Sequence, residues 1–139
     1  MNKIKASTAM RWRRLAISVG VILCGLTLRL TGYEIGLPFP LVKYGGSLLW
    51  GMMLFWLVAM LLVRQPLGRV AVIAAVIAVV TELGRLYHTP WLDTFRLTLA
   101  GALLLGRIFS VWNILAYLLG IAAAALIERQ LLARTQRTN

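Results

Sequence analysis

Few residues in this 139-residue chain could do chemistry, and they are unevenly placed. Four acidic residues, Glu34, Glu82, Asp93 and Glu128, stand against fifteen basic ones. Glu82 and Arg85 are three apart, and Asn113 and Tyr117 four apart, so each pair shares one face of a helix. Asp93 and Arg96 repeat the three-residue spacing. A carboxylate beside guanidinium groups can work as a general acid or base while the cations stabilise developing negative charge. Arginines in excess over carboxylates suit a phosphate, which they bind through paired hydrogen bonds. The candidate set is Glu82 as acid or base, with Arg29, Lys43, Arg85, Asp93, Arg96, Arg107, Asn113 and Tyr117 as ligand-binding residues. A structural reading competes with it. Arg29 would then pair with Glu82 merely to join two helices, Arg85 would extend to the headgroups, and Asp93–Arg96 would be a local pair contributing little.

Other reactive types carry less. His88 is the sole histidine and Cys24 the sole cysteine. A metal site needs several ligands at set spacings and an internal disulfide needs two cysteines, so neither is expected, and no cofactor motif is present. Cys24 lies in an apolar run and reads as a small buried hydrophobe. His88 is weighed as a proton carrier. Ser47, after Gly45-Gly46, has no evident base beside it and reads as a helix-packing residue.

The elements that must position these groups are set by composition. The chain is 60% hydrophobic with a mean hydropathy of +0.83, and 14% of its residues are charged. Soluble domains carry roughly 25% charged residues, and a small soluble domain has too much surface to hide so much apolar side chain. Four apolar segments follow one another: Leu15 to Leu30, Gly45 to Val63, Val70 to Tyr87 and Ile108 to Ile127. Crossing a bilayer takes about 20 residues. The second and fourth segments are uncharged; the first and third carry Arg29 and Glu82–Arg85, which need housing in the protein interior. The fold expected is an all-α, polytopic transmembrane bundle of four spans in one domain, residues 1–139. The shorter run Leu97 to Gly106 reads as a re-entrant or interfacial helix or as an extension of the fourth span. Ser18 to Leu30 offers no cleavage site followed by a polar mature domain, so the first segment reads as an uncleaved span rather than a signal peptide.

Charge sets the expected orientation. The N-terminal tail (1–14), the turn with Arg64 and Arg69, and the C-terminal tail (129–139) hold ten of the fifteen basic residues. By the positive-inside rule both termini are cytoplasmic in a cytoplasmic membrane. Trp12, Trp91 and Trp112 fall near the predicted interfaces. The net charge of +11 flanks apolar runs instead of covering a solvated face, which argues against nucleic acid as a partner. Counting 1.5 Å per residue from the cytoplasmic boundary places Arg29 about 22 Å up, Glu82 about 20 Å and Asn113 about 22 Å. Similar depth suggests an outward-facing polar pocket ringed by Arg29, Glu82, Arg85, Asn113 and Tyr117, with Lys43, Asp93, Arg96 and Arg107 at its mouth.

Four runs carry a family resemblance: Lys43 to Trp50, Glu82 to Tyr87, Pro90 to Arg96 and Trp112 to Gly120. Together, over about Arg29 to Gly120, they resemble the VanZ-like superfamily of small polytopic membrane proteins, and within it the uncharacterised branch labelled YjgA-like. Glu82, Asp93 and Arg96 match the superfamily pattern. That pattern has an acidic residue where Ser47 stands, Gln where Arg85 stands and Asp where Asn113 stands. The resemblance implies a cell-envelope role at the outer leaflet, the superfamily's named member being associated with resistance to teicoplanin-type antibiotics. Three functions follow as expectations. One is binding of an anionic lipid headgroup or envelope precursor. The second is an intramembrane enzyme acting on a lipid phosphate or amide through Glu82. The third is an assembly subunit whose buried charges meet a membrane-protein partner or a second copy.

Overall fold

A computed structural model describes residues 2–137. Among them the chain forms six helices and no strand: α1 Asn2–Thr31, α2 Phe39–Leu61, α3 Leu67–Gly84, α4 Pro90–Leu97, α5 Leu99–Leu104 and α6 Val111–Arg137. Helices α1, α2, α3 and α6 are long and apolar enough to cross a membrane. The all-α membrane bundle expected from sequence is the fold.

The helix boundaries follow local chemistry. Proline closes the way into helices but suits their first turn. Pro38 and Pro66 occupy the positions just before α2 and α3, and Pro90 opens α4. The elements differ from the sequence expectation at their ends. α1 begins at Asn2 and α6 runs to Arg137, so both basic tails are helical extensions of spans. Leu97 to Gly106 does not extend the last span: α5 is a separate short helix, and a further helix, α4, lies between α3 and α5.

α2 is the central helix, packed against α1, α3 and α6, while α4 and α5 pack on each other. The spans alternate in direction, as three long-range contacts fix. Arg14 binds the Ala59 carbonyl in the last turn of α2. Arg13 and Arg14 in the first half of α1 meet Glu128 in the second half of α6. Glu82 at the end of α3 meets Asn113 and Tyr117 at the start of α6. One end of the bundle, the terminal end, thus gathers both termini and the α2–α3 turn. The other, the loop end, gathers the α1–α2 loop and the α4–α5 hairpin.

Each span buries a narrow stripe. On α3 it is Val70, Ala74, Ala78 and Glu82, four residues apart throughout. On α6 it is Asn113, Ala116, Tyr117, Gly120, Ile121, Ala124 and Glu128. Lipid supplies no hydrophobic drive between helices, so close packing of small residues must hold them. Gly51 and Gly120 do this between α2 and α6: a side chain on Gly51 would strike the Tyr117 backbone, and one on Gly120 the Leu48 carbonyl. The core of Phe55, Trp56, Val58 and Ala59 of α2 closes against the alanines of α3 and Tyr117, Ile121 and Ala124 of α6. Many large apolar residues face outward, among them Leu23, Val72, Val76 and Leu119, as a lipid solvent allows.

Candidate functional site

The buried stripes of α3 and α6 each end on a carboxylate, and these two groups organise the polar interior. Glu82 is fully buried. Its Oε1 accepts from the Ser110 backbone N–H at 2.8 Å, Arg85 Nη1 at 3.0 Å and Asn113 Nδ2 at 3.1 Å. Its Oε2 accepts from the Tyr117 hydroxyl at 2.9 Å and lies 2.9 Å from Arg85 Nη1. Asn113 Oδ1 in turn accepts from Ser47 Oγ at 3.3 Å, and Ser47 also donates to the Lys43 carbonyl at 3.1 Å. A buried carboxylate is tolerated when its charge is paired and its lone pairs are filled.

Arg85 ties this cluster to the loop before α6. Its Nε donates to the Leu105 carbonyl at 2.6 Å, its Nη2 to the Tyr117 hydroxyl at 2.8 Å and its Nη1 to the Ile108 carbonyl at 3.4 Å. The backbone must leave room for the guanidinium. Gly106 gives that room: φ there is +67°, and a Cβ would lie 2.5 Å from Arg85 Cζ. Glycine alone takes this left-handed conformation without strain.

Arg96 is buried and does a different task. Its Nη2 donates to the Gly84 carbonyl and its Nη1 to the Tyr87 carbonyl, both at 2.8 Å. It therefore adds a second donor to the Gly84 carbonyl, which also accepts from the Tyr87 N–H at 3.1 Å, fills the Tyr87 carbonyl just beyond α3, and ties α4 to that end. Asp93 holds it at 3.2 Å and also meets His88 Nδ1 at 3.1 Å, on an exposed surface.

Of the residues expected to form one pocket, the structure brings Glu82, Arg85, Asn113 and Tyr117 together, but as a closed network. Both Glu82 oxygens are occupied and no face of the group is open. Arg29 is not part of it. It is exposed, and among the described residues it makes no hydrogen bond or ion pair, so it does not pair with Glu82. Lys43 stays at the rim, its Nζ 5.5 Å from the centre of the Phe39 ring and 5.2 Å from that of Tyr44, within cation–π range. Arg107 is exposed in the loop after α5. A groove of about 430 Å3 on the flank of α1 contains none of the candidates; it is lined mainly by residues between Leu23 and Leu37. Cys24 lies in that groove and is exposed rather than buried. No group of three or more metal-ligating side chains occurs among the described residues.

Glu128 was not in the expected set, yet it forms the second buried cluster. It is fully buried, its Oε1 2.8 Å from both Arg13 Nη2 and Arg14 Nε, and its Oε2 accepts from Trp56 Nε1 at 3.3 Å. Arg14 also donates to the Ala59 carbonyl at 2.6 Å, so this one side chain joins α1, α2 and α6. The sequence signal was a carboxylate continuing the α6 stripe beyond Ala124, next to Arg129, where it passes for an ordinary charged helix end.

The sequence model of a family described as a protein of unknown function (DUF2809) matches residues 37–121, from the start of α2 to the middle of α6. The match carries neither a VanZ nor a YjgA name. No solved structure matches the chain.

Proposed function

The chain belongs to the DUF2809 family of proteins of unknown function, and from that premise we propose that it is a VanZ-like cell-envelope protein that binds an anionic lipid headgroup or envelope precursor at its loop end. In this reading it lies in the cytoplasmic membrane with both termini in the cytoplasm, because the terminal end carries ten basic residues and the loop end five.

One observation carries the binding reading: the charge left at the loop end after internal pairing. Arg85 is matched by Glu82 and Arg96 by Asp93. Arg29, Lys43 and Arg107 then have no carboxylate partner among the described residues, and Glu34 is the one carboxylate at that end left to offset them. The Glu82 cluster is the rigid floor under this rim, and the ligand contacts the rim. A catalytic role for Glu82 has less support, since an acid or base must reach the proton it transfers and this one is enclosed.

Native mass spectrometry of the full chain released from phosphatidylglycerol-containing nanodiscs tests the reading. A triple variant, Arg29→Ala, Lys43→Ala and Arg107→Ala, is expected to hold this lipid at the loop end roughly a hundredfold more weakly, as three cations near an anionic surface contribute about 1 kcal/mol each. Retention equal to that of the native chain overturns it.

A further inference from the structure

The terminal end holds a polar cavity that the loop-end reading does not use. Its volume is about 440 Å3, and it lies between Ser7 and Arg11 of α1 and the α2–α3 turn, residues 61–65. Two arginines, Arg11 and Arg64, line it together with Ser7 and Gln65, and no acidic residue does.

The charge around this cavity is not cancelled from inside the protein. Neither arginine makes a hydrogen bond or ion pair among the described residues. Among the described residues Glu128 is the single carboxylate at this end, and Arg13, Arg14 and Trp56 already occupy it. Gln65 accepts from Arg69 through its Oε1, which leaves its NH2 group as a donor. The nearby backbone agrees in sign. The end of α2 would direct partial negative charge here, but Arg14 binds the Ala59 carbonyl in its last turn. α3 begins two residues after Gln65, with Pro66 making no side-chain cap, so its first N–H groups have no side-chain acceptor. Unfilled N–H groups at a helix start favour an anion.

We infer that this cavity binds the phosphate of an anionic phospholipid headgroup. Two arginines provide paired donors to phosphate oxygens. The remaining wall, Leu61, Leu62 and Val63, is apolar, as suits the glycerol and first acyl carbons behind a headgroup. The cavity also sits at the end of two membrane-spanning helices, the level at which headgroups lie. A free phosphate ion shares the polar part of this chemistry and lacks the apolar part.

Hydrogen exchange on the full chain in phosphatidylcholine nanodiscs, with and without phosphatidylglycerol, distinguishes the cases. Phosphatidylglycerol is expected to slow exchange of the amides at residues 61–68 at least about tenfold, the protection that charge-assisted hydrogen bonds to one headgroup confer. The double variant Arg11→Gln, Arg64→Gln should lose this protection and keep its melting temperature, because both side chains are exposed and unpaired. Arg11→Lys with Arg64→Lys should recover part of it. The loop-end triple variant should keep it in full, so failure of the loop-end reading leaves this site standing and the reverse. If inorganic phosphate alone gives the same protection, the anion site stands and its lipid source is overturned. If the double variant is protected as well as the native chain, the inference is overturned.

Discussion

Removing one partner of a buried ion pair leaves the other charged in an apolar medium, at a cost of about 3–5 kcal/mol. The two buried carboxylates differ in what they would leave behind. Glu128→Gln strands two guanidinium groups, one of them on the buried Arg14. Glu82→Gln strands one, and Arg85 keeps the Leu105 and Ile108 carbonyls and the Tyr117 hydroxyl. Unfolding in mixed micelles should therefore show Glu128→Gln to be the more destabilising change; the opposite order would mean that Glu82 is the principal internal anchor. The Glu82 cluster was largely legible in the sequence, because i,i+3 and i,i+4 spacing fixes which side chains share a helix face and helix rise fixes their depth. Depth does not fix which helices are neighbours. Arg29 has the right height, yet α1 packs on α2 and not on α3, the helix that carries Glu82. Glu128 escaped notice for another reason: its partners lie 114 and 115 residues earlier in the chain, and no local pattern reports a contact of that range.

Elements are held at the distances their small residues permit. α2 and α6 touch backbone to backbone at Gly51 and Gly120, so a side chain there must separate the helices instead of shifting a rotamer. Gly120→Val is expected to lower stability by about 3 kcal/mol, at the upper range for overpacking. Gly20→Ala on α1 should be neutral or slightly stabilising, since nothing lies within 4 Å of its added Cβ and alanine favours a helix. Comparing melting temperatures of the two variants checks this, and a loss at Gly20 as large as at Gly120 would remove the argument. Hydropathy located the four spans because each is a long apolar run. It missed α4, whose eight residues include Asp93, Thr94 and Arg96, and it stopped the outer spans at their first charged residues, Arg14 and Glu128, where the helices in fact continue.

At the scale of the whole molecule, alternation of the spans puts both termini at one end and His88 at the other. The proposed orientation makes a sharp labelling prediction. With Cys24 replaced by Ser, a membrane-impermeant maleimide added to intact cells should label His88→Cys and should leave Asn2→Cys and Gln136→Cys unlabelled until the membrane is opened. The inverse pattern would reverse the orientation. The proposed sidedness rests on charge alone, and the family match over residues 37–121 leaves α1 and the end of α6 outside it. The terminal-end cluster joins those two outlying parts, which no reading of the matched region alone would bring together.

That cluster also bears on how the protein is made. Arg14 enters the bilayer boundary with the first helix, while its counter-charge Glu128 leaves the ribosome more than a hundred residues later. Throughout that interval the nascent chain carries an unmatched guanidinium at a position that becomes buried only when the last helix docks. Completion of synthesis is thereby written into the stability of the first span. Chains stopped after residue 121 keep the whole family-matched region and lack the counter-charge. Pulse-chase labelling should show them degraded faster than the full chain, and Arg14→Leu in the same truncated chain should slow that loss.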